Sequence, residues 1–339
     1  MNPIPPFIEA LGIESPWTYL ALFLGASLFM IWRLEVMGSR GLEGTALGTV
    51  IMPFCSGLGN LLFVVIVHQR GLPGAEIATN ALVNNVTNLS LLIGLPAVLF
   101  GLSLDPAMSA ATRAGRKRRP SAGAATARRL NRLSLVLTLV AGLFFTATAW
   151  ILGRDGRLDA ADGGVLTGVF LFWIVLQVFD VMKYNVHRNR TIPAAFYLDL
   201  FLVLLSAGVL YTTIDWLVEW IGRTDLPGFG VGSLGWMSGL LMVVPNGLIA
   251  FYYAARRRAE VVYASQVGDG HICIPLCLGL AAVLNPGERP PAVLGGLILL
   301  GATFAVHLVA VIVLGGLPRW AGWGMLAGYA VFLVTGFGD

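Results

Sequence analysis

Long apolar runs, most of them close to twenty residues, alternate with short polar segments along the whole chain. A helix of that length spans the hydrocarbon core of a bilayer, so the pattern predicts transmembrane helices. Ten spans are predicted in the 339 residues, at about 17–34, 44–67, 77–102, 133–152, 163–182, 194–218, 232–255, 261–284, 291–314 and 320–337. The predicted fold class is an all-α integral membrane protein.

Composition agrees with this class and excludes others. The chain is 57% hydrophobic and 12% charged, with a mean hydropathy of +0.79, whereas soluble domains carry about 25% charged residues. A soluble enzyme, a secreted disulfide scaffold and a disordered regulator are therefore excluded. The three cysteines, Cys55, Cys273 and Cys277, lie inside apolar segments and are interpreted as small packing residues. The spacing of Cys273 and Cys277 is only a weak indication of a soft-metal site.

The distribution of Lys and Arg predicts the orientation. If the N-terminus is external, 17 basic residues fall in cytoplasmic loops and 5 on the opposite side. Both termini are therefore predicted outside, in the plasma (inner) membrane. Eight of the 17 lie in the loop 105–132, which lacks interleaved aromatic residues, so topology explains its charge and nucleic acid is not an expected partner. The expected partners are the lipid bilayer and inorganic cations, and the oligomeric state stays open.

An internal repeat relates the two halves of the chain. Gly-Leu-Pro-Ala-Val-Leu at 94–99 corresponds to Gly-Leu-Ala-Ala-Val-Leu at 279–284. Counting back from these glycines pairs polar positions in the third and eighth spans: Asn80 with Ser265, Asn84 with Asp269, and Asn88 with Cys273. The copies are five spans apart, an odd number, so they cross the membrane in opposite directions. This predicts a 5+5 inverted-topology repeat, the architecture of many secondary transporters.

The repeat also predicts the organisation of the chain. We expect an external segment at 1–16, a first five-helix repeat at 17–182, a cytoplasmic linker at 183–193 and a second repeat at 194–339. The most similar stretches of the two halves are about 44–99 and 236–284. The first repeat also contains the basic loop 105–132.

Polar residues inside these spans are candidates for an ion site. Asn80, Asn84 and Asn88 share one helix face because they are spaced by four. Polar groups at this depth are costly unless they face a partner, water or an ion. Interhelical hydrogen bonding is the simpler explanation for one such row, but two symmetry-related rows favour a binding pathway. Pro53 and Pro245, in the preceding spans, are predicted to break their helices and free backbone carbonyls.

These motifs resemble the calcium/cation antiporter superfamily, which includes the sodium/calcium exchangers. Its two repeats read approximately G-T-S-x-P-E followed by G-N-x-x-G-S-N-x-x-N. The matching residues here are Gly48-Thr49, Pro53, Thr79-Asn80, Asn84-Asn85 and Asn88 in the first half, and Pro245-Asn246, Ser265 and Gly268-Asp269 in the second. The resemblance implies the family's fold, transport without a cofactor, and an ion site on these positions, with Asn246 and Ser265 contributing.

The chain departs from the family pattern at its acids. The acid after the proline, which the family uses to hold calcium, is Phe54 in the first repeat and Asn246 in the second. The last polar position of the second motif is Cys273. A carboxylate is instead present at Asp269, where the family usually has serine. Tight calcium exchange is therefore not expected, because charge count sets calcium affinity.

The predicted function is secondary cation antiport by alternating access, and no enzymatic activity is expected. Asp269 is the predicted coupling residue; whether sodium, protons or calcium are carried stays open. One alternative is a degenerate, non-transporting scaffold or regulator. Another is an intramembrane aspartyl hydrolase that pairs Asp180 with Asp269. Convergence of Asn84, Asn88, Asn246 and Asp269 on one point would favour transport.

The other polar residues within the spans are assigned structural roles. His271 lies about 200° around the helix from Asp269, so it is expected to face a neighbouring helix. His307 is a lone histidine. Asp180, Asp199 and Asp215 lie near span ends, where water or basic partners are within reach.

Overall fold

The structure is a computed structural model that describes residues 15–39, 54, 57–104, 122–185, 194–223, 233–288 and 290–336. Ten helical spans occupy these ranges, in agreement with the predicted number. They are α1 (Pro16–Ser39), α2 (Leu58–Gln69), α3 (Gly74–Phe100), α4 (Ala122–Leu152), α5 (Ala160–Asn185), α6 (Ala194–Arg223), α7 (Leu234–Ala255), α8 (Ala259–Leu284), α9 (Pro291–Val309, continued by a π turn at Ala310–Leu314) and α10 (Arg319–Gly336).

Eight of these spans are long and apolar enough to cross a membrane. In α2, only the shorter apolar helix Leu58–Gln69 is described, and the earlier part of its predicted span, with Pro53, lies outside the described residues. The helix α4 begins at Ala122, well before the predicted 133. Hydropathy marks the part of a helix that lies in lipid, whereas Ala and Arg are good helix formers that extend α4 beyond it.

The spans α3, α7 and α8 form the buried centre of the molecule, and the remaining candidate spans expose most of their residues outward. Both α3 and α8 contain one π-helical turn, at Thr87–Leu91 and at Cys273–Cys277. The two turns lie at nearly equivalent positions of the predicted repeat. Such turns interrupt the regular hydrogen bonding of an α-helix and are frequent at functional sites.

Two short strand pairs tie the ends of the spans together. β1 (Leu102–Ser103), after α3, pairs with β4 (Gly316–Leu317), after α9. β2 (Arg157–Leu158), after α4, pairs with β3 (Gly287–Glu288), after α8. The ends of α3 and α9 therefore lie on one side of the molecule, and those of α4 and α8 lie together as well. In each pair, one strand follows the third span of one repeat. The other strand lies between the fourth and fifth spans of the other repeat, so the two pairs agree with an inverted 5+5 repeat.

Glycines bring α7 close to α3. A Cβ atom on Gly239 would lie 2.8 Å from Val83 Cβ and 3.0 Å from Asn80 O. One on Gly235 would lie 2.5 Å from Glu76 O. Small residues at such interfaces let helix backbones approach each other in a membrane. The closeness of α3 and α7 is therefore fixed by the sequence of α7.

Candidate ion-binding site

Asp269 lies on α8 and is fully buried at the contact with α3. Its Oδ2 accepts hydrogen bonds from Asn84 Nδ2 and from Asn88 Nδ2, the latter at 2.7 Å. Asn84 and Asn88 are themselves 0% exposed. The structure thus brings together three of the predicted site residues. Asn84 and Asn88 come from the polar row of the first half, and Asp269 comes from the polar row of the second half.

The oxygens of this cluster are only partly used. Among the described residues, Asp269 Oδ1, Asn84 Oδ1 and Asn88 Oδ1 are buried and have no hydrogen-bond partner. Buried polar atoms are normally bonded, and leaving one unbonded costs about 1–3 kcal/mol. Carboxylate and amide oxygens are also the ligands that hard cations prefer. The cluster therefore holds three unpaired oxygens of the type that binds a metal cation.

The π turn of α3 is held in place by three side chains from two other helices. Thr87 Oγ1 lies 3.0 Å from Tyr329 of α10, and Ser90 Oγ lies 3.4 Å from Thr303 of α9. His307 Nε2 on α9 lies 3.0 Å from Leu89 O, a carbonyl inside the turn. Asn88 lies in the middle of this turn, so its amide is positioned by a shell of contacts that reaches across the molecule.

A glycine beside Asp269 lets the two helices meet. A Cβ atom on Gly270 would lie 2.9 Å from Asn85 Oδ1 on α3. The Asn85 side chain does not bond Asp269; its Nδ2 donates to Ala81 O at 2.6 Å. Gly270 therefore makes room for the α3 amides that face α8.

Other predicted site residues lie apart from Asp269 in their contacts. Asn80 Nδ2 donates to Ser238 Oγ of α7 at 2.8 Å. Ser265 Oγ is half-buried and donates to Val262 O in its own helix. Asn246 is buried, and its backbone O accepts from Gln266 Nε2 at 3.2 Å, but among the described residues its Nδ2 has no partner. The cluster around Asp269 thus contains the Asn84–Asn88 pair but not the full predicted set.

The two proline predictions have different outcomes. Pro245 lies in the first turn of Val244–Ala255, and α7 is interrupted just before it, at Val243, as predicted. The helix breaks there because proline cannot donate to the preceding turn. Pro53 lies outside the described residues.

Two residues near the cluster were not among the predicted site residues. Cys273 Sγ lies 3.6 Å from Asn84 Nδ2, the nitrogen that also donates to Asp269. Gln266, one turn before Asp269, is fully buried, and its Oε1 has no partner in the described part of the chain. The repeat alignment of Cys273 with Asn88 was the available signal for the first. No pattern singled out Gln266.

The remaining polar residues have structural partners. His271 Nε2 lies 2.8 Å from Thr138 O of α4, with the rings of Phe145 and Trp173 edge-on to the imidazole, so it faces a neighbouring helix as expected. Arg33 lies 3.4 Å from Asp199. The side chain of Asp180 lies outside the described residues.

A second ion pair joins the ends of α2 and α6. The Arg70 guanidinium lies 2.6 Å from Asp215 and 3.2 Å from Glu219. Burial disfavours the charged form of Arg70, but the hydrogen bonds and attraction of the two acids outweigh it and raise the pKa of the guanidinium. The two aspartates at span ends, Asp199 and Asp215, are thus both paired with arginine.

The charge of the candidate site is low. Within the described ranges, no three His, Cys, Asp or Glu side chains come together as a metal centre. Phe54, at the position of a family acid, places its ring 5.8 Å from that of Phe170 on α5. Asp269 is therefore the carboxylate that the described cluster contains.

Comparisons with known proteins agree with this architecture. The sequence model of the family described as sodium/calcium exchanger protein matches residues 17–179. The solved sodium-calcium exchanger NCX_Mj soaked with 2.5 mM Na⁺ and 10 mM Sr²⁺ has a TM-score of 0.66 and 16% identity, over 96% of this chain and 98% of that chain. The same exchanger soaked with zero Na⁺ and Ca²⁺ has a TM-score of 0.62 and 16% identity, over 94% and 98%. No curated protein sequence matches.

The family match covers the first five spans, and the fold match covers all ten. By its fold and by the sequence of its first half, the chain is similar to sodium/calcium exchangers, which are membrane transporters and not enzymes, and this similarity argues against the aspartyl hydrolase. These similarities agree with the resemblance to the calcium/cation antiporter superfamily that the motifs predicted.

Proposed function

We propose that this protein is a secondary cation antiporter that binds its cation at Asp269, Asn84 and Asn88 and works by alternating access. The observation that carries the proposal is the buried carboxylate with two converging amides and three unpaired oxygens. An ionised carboxylate away from water needs compensating charge or donors, and the amides supply donors when no cation is bound.

The amides give the site two forms. A carboxamide has an NH₂ donor and a carbonyl acceptor on the same carbon, so rotation about its last bond exchanges them. With the nitrogens turned toward Asp269, as in this structure, the amides stabilise the ionised carboxylate when no cation is coordinated. With the oxygens turned inward, Asn84 and Asn88 coordinate a cation together with Asp269. The bound cation then becomes the partner of the oxygens that lack a hydrogen bond.

The low charge of the site favours monovalent exchange. One carboxylate neutralises sodium or a proton, whereas calcium sites use six to eight oxygens and gain affinity from each added charge. Desolvation favours the protonated acid over the ionised one, so a proton competes with the cation for Asp269. Cation binding on one side and proton release to the same side are thereby linked at one group.

The inverted repeat supplies the means of alternating access. In folds of this kind, one repeat rocks against the other around a site near mid-membrane. Asp269 lies between α3 of the first repeat and α8 of the second, where such motion would close one path and open the other. We also propose that the two repeats have the boundaries predicted from the sequence. The protein is proposed to lie in the plasma membrane with both termini external.

Gradient-driven flux in proteoliposomes tests the proposal. Sodium, proton and calcium gradients are imposed separately, with protein-free liposomes and the Asp269→Asn variant as controls. We expect wild-type flux driven by sodium or proton gradients, and its loss in Asp269→Asn. Absence of flux under all three gradients in correctly folded protein would contradict the proposal and favour the scaffold alternative. The scaffold alternative is motivated by Phe54, which stands where the family has an acid and packs against Phe170.

A further inference from the structure

We infer that Arg256, Arg257 and Arg258, the residues that connect α7 to α8, bind the phosphate group of an anionic phospholipid. This arginine turn is separate from the candidate ion-binding site, because Asp269 lies about 16 Å further along α8 at 1.5 Å per residue. The inference therefore goes beyond the proposed function and concerns a different part of the molecule.

The ends of the two spans place the arginine turn at the membrane surface. The candidate span of α7 ends at Ala255, and that of α8 begins at Ala259. All three arginines between them are exposed. Because so short a turn cannot extend far from the bilayer, the guanidinium groups lie at the level of the lipid headgroups, where basic side chains at span ends are usually found.

The backbone of the turn is the second observation. Arg257 has a φ of 59°, and it is the residue other than glycine that adopts a positive φ in the described part of the chain. This left-handed conformation favours glycine and is costly for a residue with a Cβ atom. The positive-inside rule accounts for basic residues in this loop but not for an arginine where glycine is preferred. Retained strain of this kind indicates a functional constraint, which here is the charge of the side chain.

The guanidinium groups of the turn are available to an anion. Across the described ranges, Arg256 and Arg257 have no carboxylate partner. Arg258 Nε lies 3.3 Å from Glu260 Oε1, so one carboxylate faces three positive charges. The turn therefore keeps an excess of positive charge that an anionic group can neutralise.

Two tyrosines orient these groups. The Arg256 guanidinium lies over the ring of Tyr252, 4.2 Å from its centroid, and that of Arg258 lies 5.4 Å from the centroid of Tyr253. Stacking on a ring face fixes the plane of a guanidinium and leaves the N–H groups at its edge free. Such an edge matches the oxygens of a phosphate, which it binds through paired hydrogen bonds.

A phospholipid fits this position better than a soluble anion. Basic clusters next to membrane spans attract anionic lipids. Tyr252 and Leu248, one turn apart on α7, are each 50% exposed. They form an apolar surface beside the arginine turn, against which the acyl chains of the same lipid can pack.

Thermal unfolding of the purified full chain in detergent tests the inference. Phosphatidylglycerol, phosphatidylcholine with the same acyl chains, and sodium phosphate are titrated separately. We expect phosphatidylglycerol to raise the unfolding temperature of the wild type in a saturable manner, because a ligand that binds only the folded state stabilises it. Phosphatidylcholine and sodium phosphate should have little effect at the same concentrations. An equal shift with either of them would contradict a site for an anionic lipid.

A double variant assigns the effect to the arginine turn. We expect Arg256→Gln/Arg257→Gly to raise the half-maximal phosphatidylglycerol concentration about 30-fold, the loss expected for two basic residues at a membrane surface. The matched control Arg154→Gln/Arg157→Gln removes the same charge from the exposed loop between α4 and α5 and should respond as the wild type does. An unchanged response in the turn variant, or an equal loss in the control, overturns the inference.

The single variant Arg257→Gly separates lipid binding from folding. Glycine adopts the left-handed backbone without strain, so without lipid this variant should unfold at or above the wild-type temperature. Its half-maximal phosphatidylglycerol concentration should rise about fivefold. A lower unfolding temperature without lipid, or an unchanged response to the lipid, overturns the inference. Failure of the antiport proposal has a different signature, namely flux that is absent or independent of Asp269, and it leaves these measurements unchanged.

Discussion

Asn88 bonds the proposed cation ligand Asp269 from a turn of α3 that other helices hold in place. Its amide donates to Asp269 at 2.7 Å from a π turn anchored by Tyr329, Thr303 and His307. We expect Asn88→Ala to lower the apparent cation affinity by about tenfold or more, because it removes the amide oxygen that coordinates the cation in the bound form, and an interaction with a charged group is worth about 1.5–3 kcal/mol. Concentration dependence of flux measures it. Asn285→Ala, at the far end of α8, is the control that should not change affinity.

The expected discrimination against calcium also depends on single residues. Phe54 and Asn246 occupy the positions of family acids, and Asp269 is the carboxylate of the described cluster. We expect no saturable calcium binding at micromolar concentration by isothermal titration, because neutral amides do not offset the loss of two charges. Tight calcium binding that Asp269→Asn leaves intact would show that charge counting misjudges the site.

Sequence reasoning predicted part of the cluster around Asp269 but not its full composition. The spacing of four residues placed Asn84 and Asn88 on one helix face. The internal repeat then paired Asn84 with Asp269. The same spacing also selected Asn80, whose amide instead bonds Ser238. Spacing specifies a helix face, whereas the neighbour that this face meets changes along its length. Only the packing of α7 against the first half of α3 distinguishes these cases.

At the scale of elements, glycine controls the contact of α3 and α7. A side chain on Gly239 must displace Val83 or the Asn80 backbone. We expect Gly239→Ala to destabilise the protein by about 1–3 kcal/mol, the usual cost of overpacking. Thermal unfolding in detergent measures the change. Gly208→Ala on α6, where the added methyl group meets nothing within 4 Å, should be neutral or stabilising. Equal destabilisation by both changes would contradict this account of the interface.

The π turns were beyond prediction from the apolar pattern. One extra residue in a turn leaves a span apolar and about as long, so Thr87–Leu91 and Cys273–Cys277 carry no signature in hydropathy. The break before Pro245 was predictable because proline lacks the backbone donor that a helix interior requires. A helix break caused by the covalent structure of proline is thus predictable from the sequence. A π turn that depends on the packing of neighbouring helices is not.

At the scale of the whole molecule, the number of spans fixes relative sidedness. The strand pairs β1–β4 and β2–β3 agree with the parity of ten crossings, and basic residues predict which side is cytoplasmic. We expect Ser121→Cys, in the basic loop, to react with a membrane-impermeant thiol reagent only after cells are permeabilised. Arg154→Cys, in the loop after α4, should react in intact cells. The reverse pattern would invert the predicted orientation.

The inverted repeat was predictable because it rests on matched residues and an odd number of spans, both of which are counted from sequence. The conformation adopted by the molecule was not, because the closed contact at Asp269 depends on how the two repeats meet. The described cluster shows carboxylate and amides in direct contact, with Asp269 fully buried.

The most direct test of the central claim is the pH dependence of cation flux in proteoliposomes, compared between wild type and Asp269→Asn. The described hydrogen-bond partners of Asp269 are the neutral amides of Asn84 and Asn88, the Cys273 thiol follows one turn later on α8, and His271 faces α4. In wild type, the apparent cation affinity should rise with pH, because ionised Asp269 binds the cation and protonated Asp269 does not. Asp269→Asn keeps the size of the side chain and should abolish pH-dependent flux while leaving thermal stability nearly unchanged. Normal, pH-dependent transport by folded Asp269→Asn would contradict the role assigned to this carboxylate.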